Sequence, residues 1–330
     1  MKLGSTRSLL VLGAKIALSL LLFVWLFSRV QWANVAATLQ HAHTEWLAVA
    51  FGVLMTSNVL GSYQWYRLLR TAEISLPFWK VCAYYHVGLF FNNFLPANVG
   101  GDFARILDAS RAGSSRTTAL STVLLDRMIG TIALGGLAVV TTLPAIDHFH
   151  LAAVYAGVLA FFVVAVVVFV AILHPAMLAA LERRMARIGL GRFSSSLDEL
   201  SNRLATFRSR QRMFIELFGV AGVVQVMRIG VHVLVARALG LHIALAYFFL
   251  FVPLLAVIVS LPISLNGIGV REGAGIVLFG LVGIDRGSAF SLQFTTYLVA
   301  VAVSLIGGLV FLARIPHRRS EAQNVRRSAG

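Results

Sequence analysis

Apolar residues run in long blocks along most of this chain, at roughly 9–30, 46–66, 118–143, 150–173, 213–236 and 288–313. A helix rises about 1.5 Å per residue, so about 20 such residues cross a hydrocarbon core of about 30 Å. Two further apolar regions, 77–113 and 244–284, read differently, because each is broken near its middle by Pro, Gly and Arg. The pattern predicts an all-α integral membrane protein with about six full spans and two interrupted helical hairpins. One polytopic membrane domain covers 1–316, and a short polar tail, 317–330, is expected to be disordered.

The two breaks share a spacing. Leu95-Pro96 is followed by Gly101 and Arg105, and Leu261-Pro262 by Gly267 and Arg271, so both read L-P-x4-G-x3-R. Each copy also has an acid nearby, Asp102 in the first and Glu272 in the second. Irregular backbone inside a membrane survives only where protein or a wet cavity covers it. The breaks at Pro96, Gly100, Gly101, Pro262, Gly267 and Gly269 should therefore face the interior.

Composition agrees with the pattern. The 330 residues are 58% hydrophobic and 12% charged, against about 45–50% and about 25% in soluble domains. The net charge of +15 would suggest nucleic acid in a soluble protein. Here the basic residues flank apolar spans, which points to orientation and anionic lipid rather than nucleic acid. Cys82 is the only cysteine, so an internal disulfide is excluded. The first apolar block follows Lys2 and Arg7 but lacks a convincing cleavage site, and it reads as a retained span rather than a signal peptide.

Charge placement orients the spans. The connector 174–212 holds eight arginines against three acids, and the segment after 313 adds Arg314, Arg318, Arg319, Arg326 and Arg327. The positive-inside rule puts both of these, and both termini, in the cytoplasm. The first interrupted region then begins and ends inside, and the second begins and ends outside. Two similar elements that enter from opposite faces form an inverted repeat, best drawn as a pair of re-entrant hairpins. Full-crossing pairs would preserve the same parity. Within the connector, Leu197, Leu200 and Leu204 recur at helical spacing, which suits either an amphipathic helix on the inner leaflet or a solvated basic connector.

The polar residues left inside the apolar sequence are the candidate chemistry. Arg105 and Arg271 stand near helix starts, whose free N–H groups and positive dipole ends would point inward. Arginine offers a planar fork of donors to phosphate, so the two would bind an anionic head group. Asp102 and Glu272 would pair with these arginines or simply serve helix starts. Asn98, Ser264 and Asn266 could add hydrogen bonds beside the breaks, and they also suit turns. Asp126 and Arg127 lie in the span 118–143, while Gln225, Arg228 and His232 share one face of the span 213–236. These five would line a translocation path or hold helices together. No metal or cofactor is expected. The pairs His41/His43 and His148/His150, the second beside Asp147, have no cysteine or tight carboxylate cluster to support a metal site, and no nucleotide-binding or nucleophile motif occurs.

Phe90-Phe91-Asn92-Asn93-Phe94-Leu95-Pro96, then Gly100-Gly101-Asp102 and Arg105, resembles the first signature of the lysylphosphatidylglycerol synthase transmembrane-region family. Leu261-Pro262-Ile263-Ser264, then Gly267 through Gly273, resembles its second. Leu125-Asp126-Arg127 is similar to the acidic-Arg pair of its middle span, and Trp65 through Leu69 to its early interface motif. Tyr297 is followed by Leu298 where the family pattern carries a basic residue. The resemblance covers most of 9–313 and implies a flippase-like module. The chain resembles a stand-alone member without the synthase domain, of the kind associated with hopanoid or other envelope lipids. The implied setting is the bacterial inner membrane, with lipids as partners, no enzymatic activity, and no indication of oligomeric state. The alternative is a non-catalytic membrane subunit or embedded enzyme working with lipid-biosynthesis enzymes.

Overall fold

Residues with apolar side chains and few helix breakers form helices wherever the chain is described, because hydrocarbon leaves backbone groups no partner except one another. The computed structural model describes residues 42–94, 100–112, 114–145, 152–177, 194–260, 267 and 269–328, with the isolated positions 40, 180, 183 and 184. Side chains beyond Ala313 are not described. The elements are α1 (Thr44–Thr71), α2 (Phe78–Phe94), α3 (Gly100–Ser110), α4 (Arg116–Thr142), α5 (Ala152–Leu173), α6 (Ser194–Arg208), α7 (Gln211–Ala238), α8 (Leu245–Ser260), α9 (Val270–Gly280) and α10 (Arg286–Ser328). No strand occurs among the described residues.

Five helices are long and apolar enough to cross a membrane: α1, α4, α5, α7 and the Arg286–Ala313 part of α10. They coincide with five of the six expected spans, and the sixth, 9–30, lies outside the described residues. The protein is therefore an all-α integral membrane protein. α5 displays the lipid-facing logic most plainly, with Val163, Val164, Val167 and Val170 all exposed. In water such a face would be an association patch, whereas in hydrocarbon it costs nothing. Each interrupted region is a pair of short helices that pack together, α2 with α3 and α8 with α9. α3 and α9 have 11 residues each, about 16 Å of helix, or roughly half a hydrocarbon core.

The packing is reciprocal. α1, which precedes the first pair, lies against α7, which precedes the second. α2 packs on α10, the helix that follows the second pair, and α8 packs on α4, the helix that follows the first. Each of α3 and α9 also packs on its own following helix. The unit α1–α4 is thus repeated as α7–α10, with α5 and α6 inserted between. Arg67 and Tyr63 of α1 both donate to Glu216 of α7, at 2.9 and 2.8 Å, which ties the two units together at one end.

Two expectations change here. The helix at Leu200 and Leu204 is neither a lipid-surface helix nor a solvated connector. Leu204 and Phe207 of α6 are fully buried among Leu125, Ile129, Phe169 and Leu217, so the protein itself covers its apolar face. Arg208 Nε donates to the Leu173 carbonyl at 2.6 Å, where α5 ends, and Glu199 accepts from Ser115 and Thr117 at the start of α4. The polar tail also differs from the expected disorder, since α10 continues to Ser328.

α10 begins at a cap that can be tested. Asp285 Oδ1 accepts from the Ser288 backbone N–H at 3.0 Å. Burial pushes its carboxyl up, but hydrogen bonds from Ser288 and Gly287 outweigh this and hold it below the usual range. A depressed carboxyl contributes its stability above the unfolded-state pKa and loses it as pH falls through the folded-state value. Asp285→Ala should therefore cost about 1 kcal/mol near neutral pH. In thermal melts the difference from the parent protein should vanish in strong acid.

Candidate functional site

α3 owes its position to glycines. Gly101 lies directly against the backbone carbonyl of Gly88 on α2, where any Cβ would collide. Asn92 Oδ1 on α2 accepts from the Gly101 N–H at 2.9 Å and so caps the new helix. One turn on, Arg105 passes beside Gly88, whose lack of a side chain leaves room for the arginine methylenes. The guanidinium is then 4.2 Å from the Trp65 ring centre and 4.8 Å from that of Tyr85. Trp65 is fully buried, with its Nε1–H donated to Thr122.

Arg105 is 5% exposed and is not a free cation. Its Nη2 donates to Asp126 Oδ2 at 2.7 Å, and Gln64 Nε2 donates to the other oxygen at 2.8 Å. Asp102 lies 3.7 Å from Arg105 Nη1 and accepts two hydrogen bonds from Arg127 Nε, at 2.8 and 3.1 Å. Two arginines and two carboxylates thus form one connected network across α3 and α4.

The second repeat is built differently. Gly267 and Gly269 take φ of 74° and 80°, left-handed values that glycine adopts without strain, and they turn the chain into α9. Glu272 Oε2 accepts from the Gly269 N–H at 2.7 Å, so this acid serves its own helix start. The Arg271 guanidinium lies over the Tyr297 ring at 4.9 Å. On α7, Gln225 Nε2 donates to the Gly130 carbonyl at 3.3 Å. His232 Nδ1 stands 3.0 Å from the Arg228 carbonyl, and because a carbonyl only accepts, that nitrogen carries the proton. Arg228 forms no ion pair among the described residues.

Both halves open onto one cavity of about 550 Å³. Arg105, Asp126, Arg127, Gln225, Arg228, His232 and Arg271 all line it. Asp102 reaches the cavity only through its arginine partners, and Glu272 is turned to the helix start. Asn98, Ser264, Asn266, Pro96 and Pro262 lie outside the described residues. Among the lining groups that escaped the motif reading are Gln64, Tyr85 and Gln293. An amide inside an apolar span is itself a signal, and it marks Gln64 and Gln293. Tyr85 carries no such signal. Gln293 is fully buried, and neither of its amide atoms has a hydrogen-bond partner among the described residues. No cluster of metal-ligating side chains occurs among the described residues.

Apolar spans around a charged, arginine-rich cavity define a polytopic helical membrane protein with a polar interior. This chain belongs to the lysylphosphatidylglycerol synthase TM region family, whose model matches residues 12–320. It is also similar to UPF0104 membrane protein PH1989 of Pyrococcus horikoshii, at 23% identity over 330 residues, covering 92% of this chain and 96% of that protein. The motif resemblance and the cavity therefore belong to the same membrane module.

Proposed function

We propose that this protein carries an anionic, phosphate-bearing envelope lipid between leaflets of the plasma membrane, with no chemistry performed on the lipid. The head group crosses through the cavity while the acyl chains stay in the surrounding hydrocarbon. The carrying observation is that arginines from both repeats, Arg105 and Arg271, line one interior space. α2–α3 and α8–α9 act as re-entrant hairpins that enter from opposite faces, with both termini cytoplasmic. Rocking of one four-helix unit against the other then exposes the cavity to each side in turn. The reciprocal packing of the two units supports this motion, since each short pair rests on the other unit's last helix.

The test is leaflet exchange in reconstituted vesicles with a panel of labelled lipids. The parent protein should exchange anionic phospholipids faster than protein-free vesicles. Arg271→Ala and Arg105→Ala should slow that exchange at least tenfold, about 1.4 kcal/mol on the barrier. Thermal melts of the same preparations separate a lost site from a lost fold. Equal exchange of every lipid by all three proteins would overturn the proposal.

A further inference from the structure

The two short pairs are seated on the opposite unit in unequal ways. α2 lies close against α10: a Cβ at Gly307 would meet the His86 backbone carbonyl, and one at Gly308 would meet the Phe90 ring. Phe91 and Phe311 add an edge-to-face contact at 5.1 Å, and Gly101 holds α3 equally close, against the Gly88 carbonyl of α2. α4, the counterpart of α10, also carries a glycine pair roughly six turns from its start, Gly135-Gly136. There the pair receives Phe161 and Phe162 of α5, with 3.3–3.4 Å to the nearest ring and side-chain atoms from an added Cβ. The inserted helix α5 thus takes the place that the repeat would give to α8. α8 itself contains no glycine, and no described glycine abuts its backbone. Leu134 and Leu137 of α4 line the same cavity as Val252, Leu255 and Val259 of α8, so side chains stand between these two helices.

α8 is also interrupted, by Pro253 near its middle. Proline has no N–H, so the Phe249 carbonyl one turn back loses its helical partner, and the ring bends the helix away from it. The halves on either side of this point differ. Before it, Phe248 and Phe251 pack on Phe279 of α9, with ring centres 5.7 and 5.3 Å apart. After it, 254–260 carries no aromatic side chain, and Leu255, Ala256, Val259 and Ser260 line the cavity together with Pro253. One half is pinned, and the other is an aliphatic cavity wall. Aliphatic contacts are non-directional and re-form after a small shift, whereas a backbone seated on a glycine yields only when the whole helix moves.

We propose that α8 is hinged at Pro253 and that 254–260 is the moving wall of the cavity, while α2 stays fixed on α10. The proposal rests on the reading of the protein as an alternating-access carrier, and it places the motion in one hairpin of a repeated pair. Bending at Pro253 swings the 254–260 wall relative to α4 and changes the width of the cavity on that side. The two units therefore do not exchange roles symmetrically. The first supplies a rigid face, locked by its glycines and by the Arg105–Asp126 pair, and the second supplies the hinge. Hinges of this kind are a few residues within or at the end of an element that absorb the change in backbone angle.

The first measurement is amide hydrogen exchange of the purified full chain in detergent, read by mass spectrometry. Amides of 254–260 should exchange at least about tenfold faster than those of 82–91 in α2. Pro253→Ala restores the N–H with a strong helix former and should bring the two segments within about threefold of each other. Pro253→Gly restores the N–H with a weak helix former and should leave the difference in place. Leaflet exchange of an anionic phospholipid in vesicles then compares the same three proteins. Pro253→Ala should slow it at least about tenfold, and Pro253→Gly should stay within about threefold of the parent. Both variants remove the ring from the cavity wall, so equal slowing by the two would assign the effect to lost surface and overturn the hinge. Equal protection of 254–260 and 82–91 in the parent protein would overturn it as well, whether or not either variant folds. If the parent exchanges no lipid, the carrier reading falls, and the amide pattern of the three proteins alone decides the hinge.

Discussion

Asp126→Ala should lower the stability of the folded protein by about 3–5 kcal/mol, the cost of leaving a buried cation without its counter-charge. Arg105 is 6% exposed in its side chain and Asp126 7%, and the 2.7 Å contact between them is a charge-assisted hydrogen bond. Removing the carboxylate leaves the guanidinium with Asp102 at 3.7 Å, which Arg127 already engages, and with two aromatic rings. It also costs Gln64 its 2.8 Å hydrogen bond to the carboxylate and leaves it only the longer one, 3.3 Å, to the Asp126 backbone carbonyl. The effect belongs to the pair rather than to either residue. Arg105→Met combined with Asp126→Leu should therefore be far milder than the two single changes added together, because the double change leaves no unmatched charge. Thermal melts in one detergent across the four proteins complete the cycle. Additive losses would mean that the pair is not coupled, and the network description would be wrong.

Gly307→Ala and Gly101→Ala should be nearly as damaging, at about 1–3 kcal/mol or more, although each adds a single methyl group. A Cβ at Gly307 would meet the His86 backbone carbonyl on α2, and one at Gly101 would meet the Gly88 carbonyl. A flexible side chain can turn aside, but a helix backbone can yield only if the whole helix moves. In hydrocarbon no hydrophobic force between helices repays the lost contact, since lipid is as apolar as the partner. Gly219 and Gly222 on α7 are the internal control, because a Cβ there meets nothing within 4 Å. Alanine at those sites should raise stability by up to about 1 kcal/mol through helix propensity. If all four alanines behave alike, close packing of α2 against α3 and α10 does not govern stability.

Much of the architecture is legible in the amino-acid sequence. Five spans fall where the apolar blocks predict them, because twenty consecutive apolar residues have one low-energy solution in a bilayer. The shared L-P-x4-G-x3-R spacing located two of the four arginines that line the cavity, Arg105 and Arg271. The fate of the acids was not legible. Asp102 and Glu272 occupy similar places near the two arginines, yet Asp102 joins a network with Arg127 while Glu272 turns back to the Gly269 N–H. Helical spacing brings Asp102 within range of Arg105, but the Arg127 partnership crosses 25 residues. The amphipathic pattern of α6 also fitted two readings, and only the buried Leu204 and Phe207 reveal a third, a helix docked on its own protein.

By itself the chain determined its helices, their repeat and its charged positions, because these follow from local apolar runs and from what a bilayer tolerates. Which charges cancel was decided only in three dimensions. Asp126 meets Gln64 across 62 residues and Arg105 across 21, contacts that depend on how α1, α3 and α4 converge. Electrostatic pairing falls off over a few ångströms, so the difference between a neutralised Arg105 and an Arg228 with no ion pair among the described residues is a property of packing alone.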